Sequence, residues 1–156
     1  MTSIDAVYDF STVYADDVPS SDSFIKPAFG YFGAKQRLAK KIVDLLPPHS
    51  AWVEVFCGSA VITLNKKPAP IEVINDLDGD IVNVFAVLRD LPSELIRAIS
   101  LTPYSRDEFH LCRADRSGLE PLERARRFLV ASMMTINGTA GSLHSGFSFS
   151  DSYDRP

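Results

Sequence analysis

The 156-residue sequence is poor in cysteine and histidine and lacks a glycine-rich phosphate loop, and each shortage removes a class of chemistry. Its two cysteines, Cys57 and Cys112, lie far apart without metal-ligand spacing, so they read as reduced thiols of a cytoplasmic protein. The three histidines, His49, His110 and His144, have no partner spacing for a metal, and no metal is expected. No apolar run approaches the roughly 20 residues of a membrane span, so no membrane partner is expected. The N-terminus has no basic segment followed by an apolar one, which argues against a secretory signal. Ser59 has no Gly-x-Ser-x-Gly elbow around it and no placed histidine, so it does not read as a nucleophile. No internal repeat is visible.

What is present is an ordinary globular composition, 46% hydrophobic and 23% charged, in a length that fits one domain. The net charge of −4 hides an asymmetry. Residues 1–25 hold five acids and no Lys or Arg, which leaves 16 basic and 15 acidic residues in the remainder. Lys35, Arg37, Lys40 and Lys41 follow one another with no acid between them. Arg113, Arg116, Arg124, Arg126 and Arg127 form a second group. A basic face on the body is compatible with a nucleic-acid partner, and equally with solvated helix faces.

The chain is organised around residues 51–76. A short apolar run, Trp52-Val53-Glu54-Val55-Phe56, leads into the small-residue turn Cys57-Gly58-Ser59-Ala60. A helix-like segment and a second apolar run, Ile71-Glu72-Val73-Ile74, follow and end in Asn75-Asp76. Strand, small turn, helix, strand and acid is the plan of a nucleotide-type cofactor site. One glycine stands where dinucleotide fingerprints carry three, which disfavours a pyrophosphate cradle and a nicotinamide cofactor. A cofactor without phosphates, such as S-adenosylmethionine, fits better. A turn that merely needs small residues fits the same pattern. Asp76 reads as an acceptor for ribose hydroxyls, or, like Asp78, as a helix cap. Glu54 is a charge inside an apolar run, costly unless it is paired or lines a site. Lys35 reads as a solvated lysine, unless the Gly33 turn folds towards the central turn and brings its ammonium to a ligand carboxylate.

Residues 1–24, acidic and without sustained period, are expected to be a disordered tail. A helix is predicted from Ala34, with Leu38, Ile42, Leu45 and Leu46 on one face and Pro47-Pro48 as its stop. Asp78 is placed to cap a helix with Ile81, Val84, Phe85 and Leu88 on its apolar face. Pro92 should break it, and Ser93 to Ser100 reads as a short helix. Ser105 and Glu108 have capping-box spacing ahead of Phe109, Leu111 and Cys112. Ser117-Gly118 should end that segment. Pro121 suits a first helical turn, with Leu122, Ala125, Phe128, Leu129 and Met133 on one face. The stretch from Asn137 is rich in Gly and Ser and has no helical period.

Four pieces, in order, resemble the Dam-like adenine-specific (N6) DNA methyltransferases. Tyr31-Phe32-Gly33-Ala34-Lys35 is similar to that family's Trp-Ala-Gly-Gly-Lys motif. Val53-Glu54-Val55-Phe56-Cys57-Gly58-Ser59-Ala60 resembles its Val-Glu-Pro-Phe-x-Gly cofactor loop, with Val55 for the Pro and Ala60 near a common Gly. Asn75-Asp76 and the residues to Asn83 match its Asn-Asp segment. Arg124 to Leu129 and Asn137-Gly138 resemble the helix and loop ahead of its DNA-contacting region. Together the matches span roughly Lys26 to Phe149.

The resemblance implies an α/β fold: part of a Rossmann-like, S-adenosylmethionine-dependent methyltransferase sheet with helices, its C-terminal part missing. It implies S-adenosylmethionine as cofactor and double-stranded DNA as partner. Tyr31, Lys35, Glu54, Phe56, Gly58 and Asp76 would bind the cofactor, with Lys35 at its carboxylate and Asp76 at its ribose. Arg124, Arg127 and Asn137 would contact DNA. Residues 25–112 would form the cofactor-binding part and 113–156 the start of the helical DNA-contacting region. The family's catalytic Asp-Pro-Pro-Tyr does not occur in the sequence, so no catalytic residue is assigned. The expectation is a truncated chain, inactive by itself. The alternatives are a split enzyme completed by a second chain carrying that motif, and a non-catalytic cofactor- or DNA-binding module.

Overall fold

The computed structural model describes residues 24–31, 33–135 and 146–147. The expected acidic tail, but for Phe24, lies outside the described residues, as do Asn137 and most of the Gly/Ser-rich stretch. The described chain runs α1 (Ala39–Asp44), β1 (Ala51–Glu54), α2 (Val61–Asn65), β2 (Ile71–Ile74), α3 (Gly79–Asp90), α4 (Pro92–Ser100), α5 (Arg106–Arg113) and α6 (Pro121–Met133). It is a mixed helix and strand architecture with a two-stranded parallel sheet, Ala51 opposite Ile71 and Glu54 opposite Ile74. None of the described helices is long and apolar enough to cross a membrane.

The sheet is two-faced. Trp52 turns inwards and packs with Ala39, Val61 and Ile62, which sew α1 onto α2. Ile74, on the same side, joins the main core. Ala51, Val53, Ile71 and Val73 alternate onto the other face, where all four are exposed. Parallel strands are ordinarily covered on both faces, so this bare apolar face stands out.

Local signals set several boundaries. Asp78 caps α3, its carboxylate accepting from the Asp80 N–H at 2.9 Å. Ser105 caps α5 through the Glu108 N–H at 3.1 Å. The capping box is only half used, because the Glu108 carboxylate turns instead to Arg126, at 2.7 Å. Pro92 and Pro121 open α4 and α6, where a missing N–H costs nothing.

Two apolar faces differ from expectation. Leu38 and Leu45, the residues that flank α1, are 53% and 83% exposed, and the buried side of the helix is Ala39 with Ile42 and Val43 beside it. The cause is the close approach of α2, which selects the small Ala39. In α6, Met133 is part-exposed, whereas Val130, Ala131 and Met134 are buried with Phe109 and Cys112 of α5. This helix packs on α3 and α4 with one side and on α5 with another, so it needs two apolar stripes. The α5 helix also ends at Arg113, ahead of Ser117-Gly118.

Phe29 ties the N-terminal loop to this helical core. Its ring meets Phe128 edge-on at 5.2 Å and lies 6.1 Å from Phe85 and 6.3 Å from Tyr31. Burial of Phe29 therefore fixes where the chain emerges at Tyr31.

Candidate functional site

Both strands end at one place. The Asn75 N–H donates to the Glu54 carbonyl and the Cys57 N–H to the Asn75 carbonyl, each at 2.9 Å, so pairing continues past the strands into the small-residue turn. Ala60 N–H closes that turn on the Cys57 carbonyl at 2.7 Å. Gly58 and Ala60 both have left-handed backbone, φ +50° and +53°. Gly58 needs its missing side chain twice: for that φ, and because a Cβ there would sit 3.3 Å from Tyr31 Cδ1. The Gly58 N–H donates to Asp76 Oδ2 at 2.8 Å, and the Asp78 N–H to Asp76 Oδ1 at 3.0 Å.

The Gly33 turn, closed by the Ala34 N–H on the Tyr31 carbonyl at 3.1 Å, folds onto this region. Between the two turns lies a cavity of about 200 Å³. Tyr31, Lys35, Glu54, Phe56, Gly58 and Asp76, the six residues expected around a cofactor, all line it. They come from three separate stretches of chain, so the convergence is a tertiary event.

The electrostatics are mixed. Glu54 accepts from the Thr63 N–H at 3.3 Å and from the Thr63 hydroxyl, which itself accepts the Trp52 indole N–H at 2.7 Å. That chain explains how a carboxylate is tolerated in the first apolar run while still facing the cavity. Burial, with Asp78 and Asp76 adding negative charge nearby, raises the Tyr31 phenol and keeps it neutral. Burial, then Asp76 and Glu54, push the Cys57 thiol up to about 11, so it is not a thiolate nucleophile at neutral pH. Cys112, on α5, is pushed up to about 12 by burial and by its contact with Glu108. No group of His, Cys, Asp and Glu among the described residues is placed to hold a metal.

The arginines sit elsewhere. Arg124 Nε donates to Asp80 Oδ1 at 2.6 Å, and Arg116 donates to Oδ2 of the same carboxylate. Arg127 Nε donates to Glu123 at 2.7 Å. Arg126 binds Glu108 and Glu123. Arg116, Arg124, Arg126 and Arg127 are thus engaged inside the helical part, joining α3, α5 and α6, and Arg113 lies over the Phe109 ring at 5.2 Å. By contrast, Lys35, Arg37, Lys40 and Lys41 are exposed and form no ion pair among the described residues.

Two contributors were not anticipated. Thr63 carries the Glu54 bond, and Ser59, 2% exposed, is on the cavity wall with a hydroxyl that has no partner among the described residues. A serine in a small-residue turn gives no sequence signal of burial.

A strand, a small turn, a short helix, a second strand and an acid are arranged around one cavity, the plan of a nucleotide-type site. The chain belongs to the D12 class N6 adenine-specific DNA methyltransferase family, which it matches over residues 31–149. It is similar to a Type II methyltransferase, M1.LlaDCHI of Lactococcus lactis subsp. cremoris, with 27% identity over 124 residues. That match takes in 73% of this chain and 43% of the relative, so the chain spans less than half of the relative's length.

Proposed function

We propose that this chain is the donor-binding part of an adenine-specific DNA methyltransferase and that the donor is S-adenosylmethionine. The observation that carries this is the wall of the cavity between the Gly33 and Gly58 turns. It sets a cation, Lys35, and carboxylates, Glu54 and Asp76, among the aromatic rings of Tyr31 and Phe56. A zwitterionic amino-acid end, ribose hydroxyls and a purine, with no phosphate, match that set. Lys35 would hold the carboxylate and Asp76 the ribose. Gly58 would let the backbone lie close under the ligand, and Tyr31 and Phe56 would flank it. When bound, the donor supplies an electrophilic methyl group on a sulfonium.

DNA is the proposed methyl acceptor. Arg124, Arg127 and Asn137 are its proposed contacts, and a phosphate there would share Arg124 with Asp80 and Arg127 with Glu123. An adenine in a duplex must leave the stack before its amino group can react. In the resembled family Asp-Pro-Pro-Tyr holds that base, and the sequence does not contain it. The chain by itself is therefore proposed to transfer no methyl group. A second reading, completion by a polypeptide carrying that motif, is favoured by the bare face of Ala51, Val53, Ile71 and Val73. On this reading the two strands belong to a larger, Rossmann-like sheet.

Isothermal titration of the purified chain with S-adenosylhomocysteine tests the donor assignment. Saturable binding is expected, weakened at least about tenfold in Asp76→Ala. An unchanged affinity in that variant would remove the ribose assignment, and no binding by the wild type would remove the donor reading. Adenine methylation by the chain alone, with a labelled donor, would overturn the proposed inactivity.

A further inference from the structure

We infer that the exposed basic face around α1, made by Lys26, Arg37, Lys40, Lys41 and Lys67, is a docking surface for the phosphate backbone of duplex DNA; this rests on the reading of DNA as the methyl acceptor. Residues 24–71 hold seven basic side chains against two acidic ones, Asp44 and Glu54. Lys66 is buried and paired with Glu72, and Glu54 is held by Thr63. Lys35 is on the wall of the cavity. The other five cations are exposed, and none of them forms an ion pair among the described residues.

The fold gathers these five from three stretches of chain. Arg37 stands three and four residues ahead of Lys40 and Lys41, in the turn that runs into α1, so the three are helical neighbours. The helix packs on α2 through Ala39, Val61 and Ile62. At the end of α2 the Asn65 side chain accepts the Ile25 N–H at 2.8 Å and donates to the Ile25 carbonyl at 2.9 Å. Those two bonds set Lys26 beside the end of α2, where Lys67 follows. Asp44, the last residue of α1, is exposed as well and leaves the face net positive. A solvated face ordinarily mixes both signs, because like charges gathered without countercharge repel one another. The helical part shows the contrast, for Asp80, Glu108 and Glu123 there take up Arg116, Arg124, Arg126 and Arg127. Uncompensated cations on flexible stems complement a polyanion, and phosphates are the sequence-independent part of a DNA ligand. The face thus holds duplex without reading its sequence.

The test is fluorescence anisotropy of a labelled DNA duplex titrated with the whole chain over a range of salt. Arg37→Gln, Lys40→Gln and Lys41→Gln combined should lower affinity at least about tenfold at low salt and flatten the plot of log affinity against log salt by about 2–3. The loss should be equal for duplexes of unrelated sequence, and Lys26→Gln with Lys67→Gln should flatten the plot further. Lys40→Arg with Lys41→Arg keeps the charge and should bind as the wild type does. Affinity for S-adenosylhomocysteine and the midpoint of thermal unfolding should not move in any of these variants. An unchanged salt slope in the triple variant, a loss confined to one duplex sequence, or a loss that goes with a fall in the unfolding midpoint would each overturn the inference. So would loss of binding to vesicles of anionic phospholipid with DNA affinity intact, which would give the face to a membrane surface. If Arg124→Gln weakens duplex binding while the triple variant does not, only this inference fails. If the wild type binds no duplex, the acceptor reading fails for this chain and takes the inference with it.

Discussion

Asp76 accepts a backbone N–H on each of its oxygens, from Gly58 at 2.8 Å and from Asp78 at 3.0 Å. One carboxylate therefore joins the turn after β1 to the segment that starts α3. An amide has one acceptor oxygen, so Asp76→Asn must present an NH₂ to one of two N–H donors. Asp76→Asn is expected to destabilise the chain by about 1–2 kcal/mol, close to Asp76→Ala, given partial exposure of the site. Urea unfolding of the two variants checks this; an amide variant as stable as the wild type would show that only one bond matters.

The neighbouring glycine should be as intolerant. Gly58→Ala places a Cβ at φ +50°, 3.3 Å from the Tyr31 ring. The backbone term alone is about 1–2 kcal/mol. The ring must also shift, and it lines the cavity, so ligand affinity should fall together with stability. A variant that lost stability but bound S-adenosylhomocysteine normally would uncouple Tyr31 from the ligand.

Acid should loosen α6 first. Burial works against ionised Asp80, but hydrogen bonds from Arg116 and Arg124 outweigh it and hold its carboxyl below the ordinary range. Hydrogen bonds from Arg126, opposed by burial and reinforced by Arg127, lower Glu123 from 4.5 to about 2. A depressed folded-state value means that stability is complete above the unfolded value and is lost as pH falls through the folded one. Unfolding free energy should thus decline from about pH 4.5 towards pH 2. Glu123→Gln and Asp80→Asn should each start lower at neutral pH and decline less steeply. Parallel curves for wild type and variants would exclude these two groups as the cause.

The bare sheet face predicts self-association. Val53 and Val73 are 58% and 46% exposed and directly opposite one another in register. Exposed apolar strand faces seek a cover. Val53→Thr with Val73→Thr keeps β-branching while wetting the face. Sedimentation should show less association for the double variant, with unfolding free energy within about 1 kcal/mol of wild type. Unchanged association would place the sticky surface elsewhere.

Legibility in the sequence followed the range of the interaction. The Asp78 and Ser105 caps, Pro121 at a helix start and the strand–turn–helix–strand order are local preferences, and all were readable. The apolar faces of α1 and α6 were misread at Leu38, Leu45 and Met133, because periodicity says that a face exists and not how many neighbours it will meet. The arginine group read as a basic surface from the sequence, yet Asp80, Glu108 and Glu123 from other turns and helices take up four of its members.

By itself, the sequence determined the composition of the Gly58 turn, the acid that follows β2 and the order of motifs that places the chain among adenine methyltransferases. Only the tertiary structure decided that the Gly33 turn lies against the Gly58 turn, with Lys35 and Asp76 around one cavity. It also decided that Ser59 is buried there with a hydroxyl unpaired among the described residues. These are contacts between segments some twenty to forty residues apart. They depend on where the burial of Phe29 and Ala39 sets each segment down, which no local preference specifies.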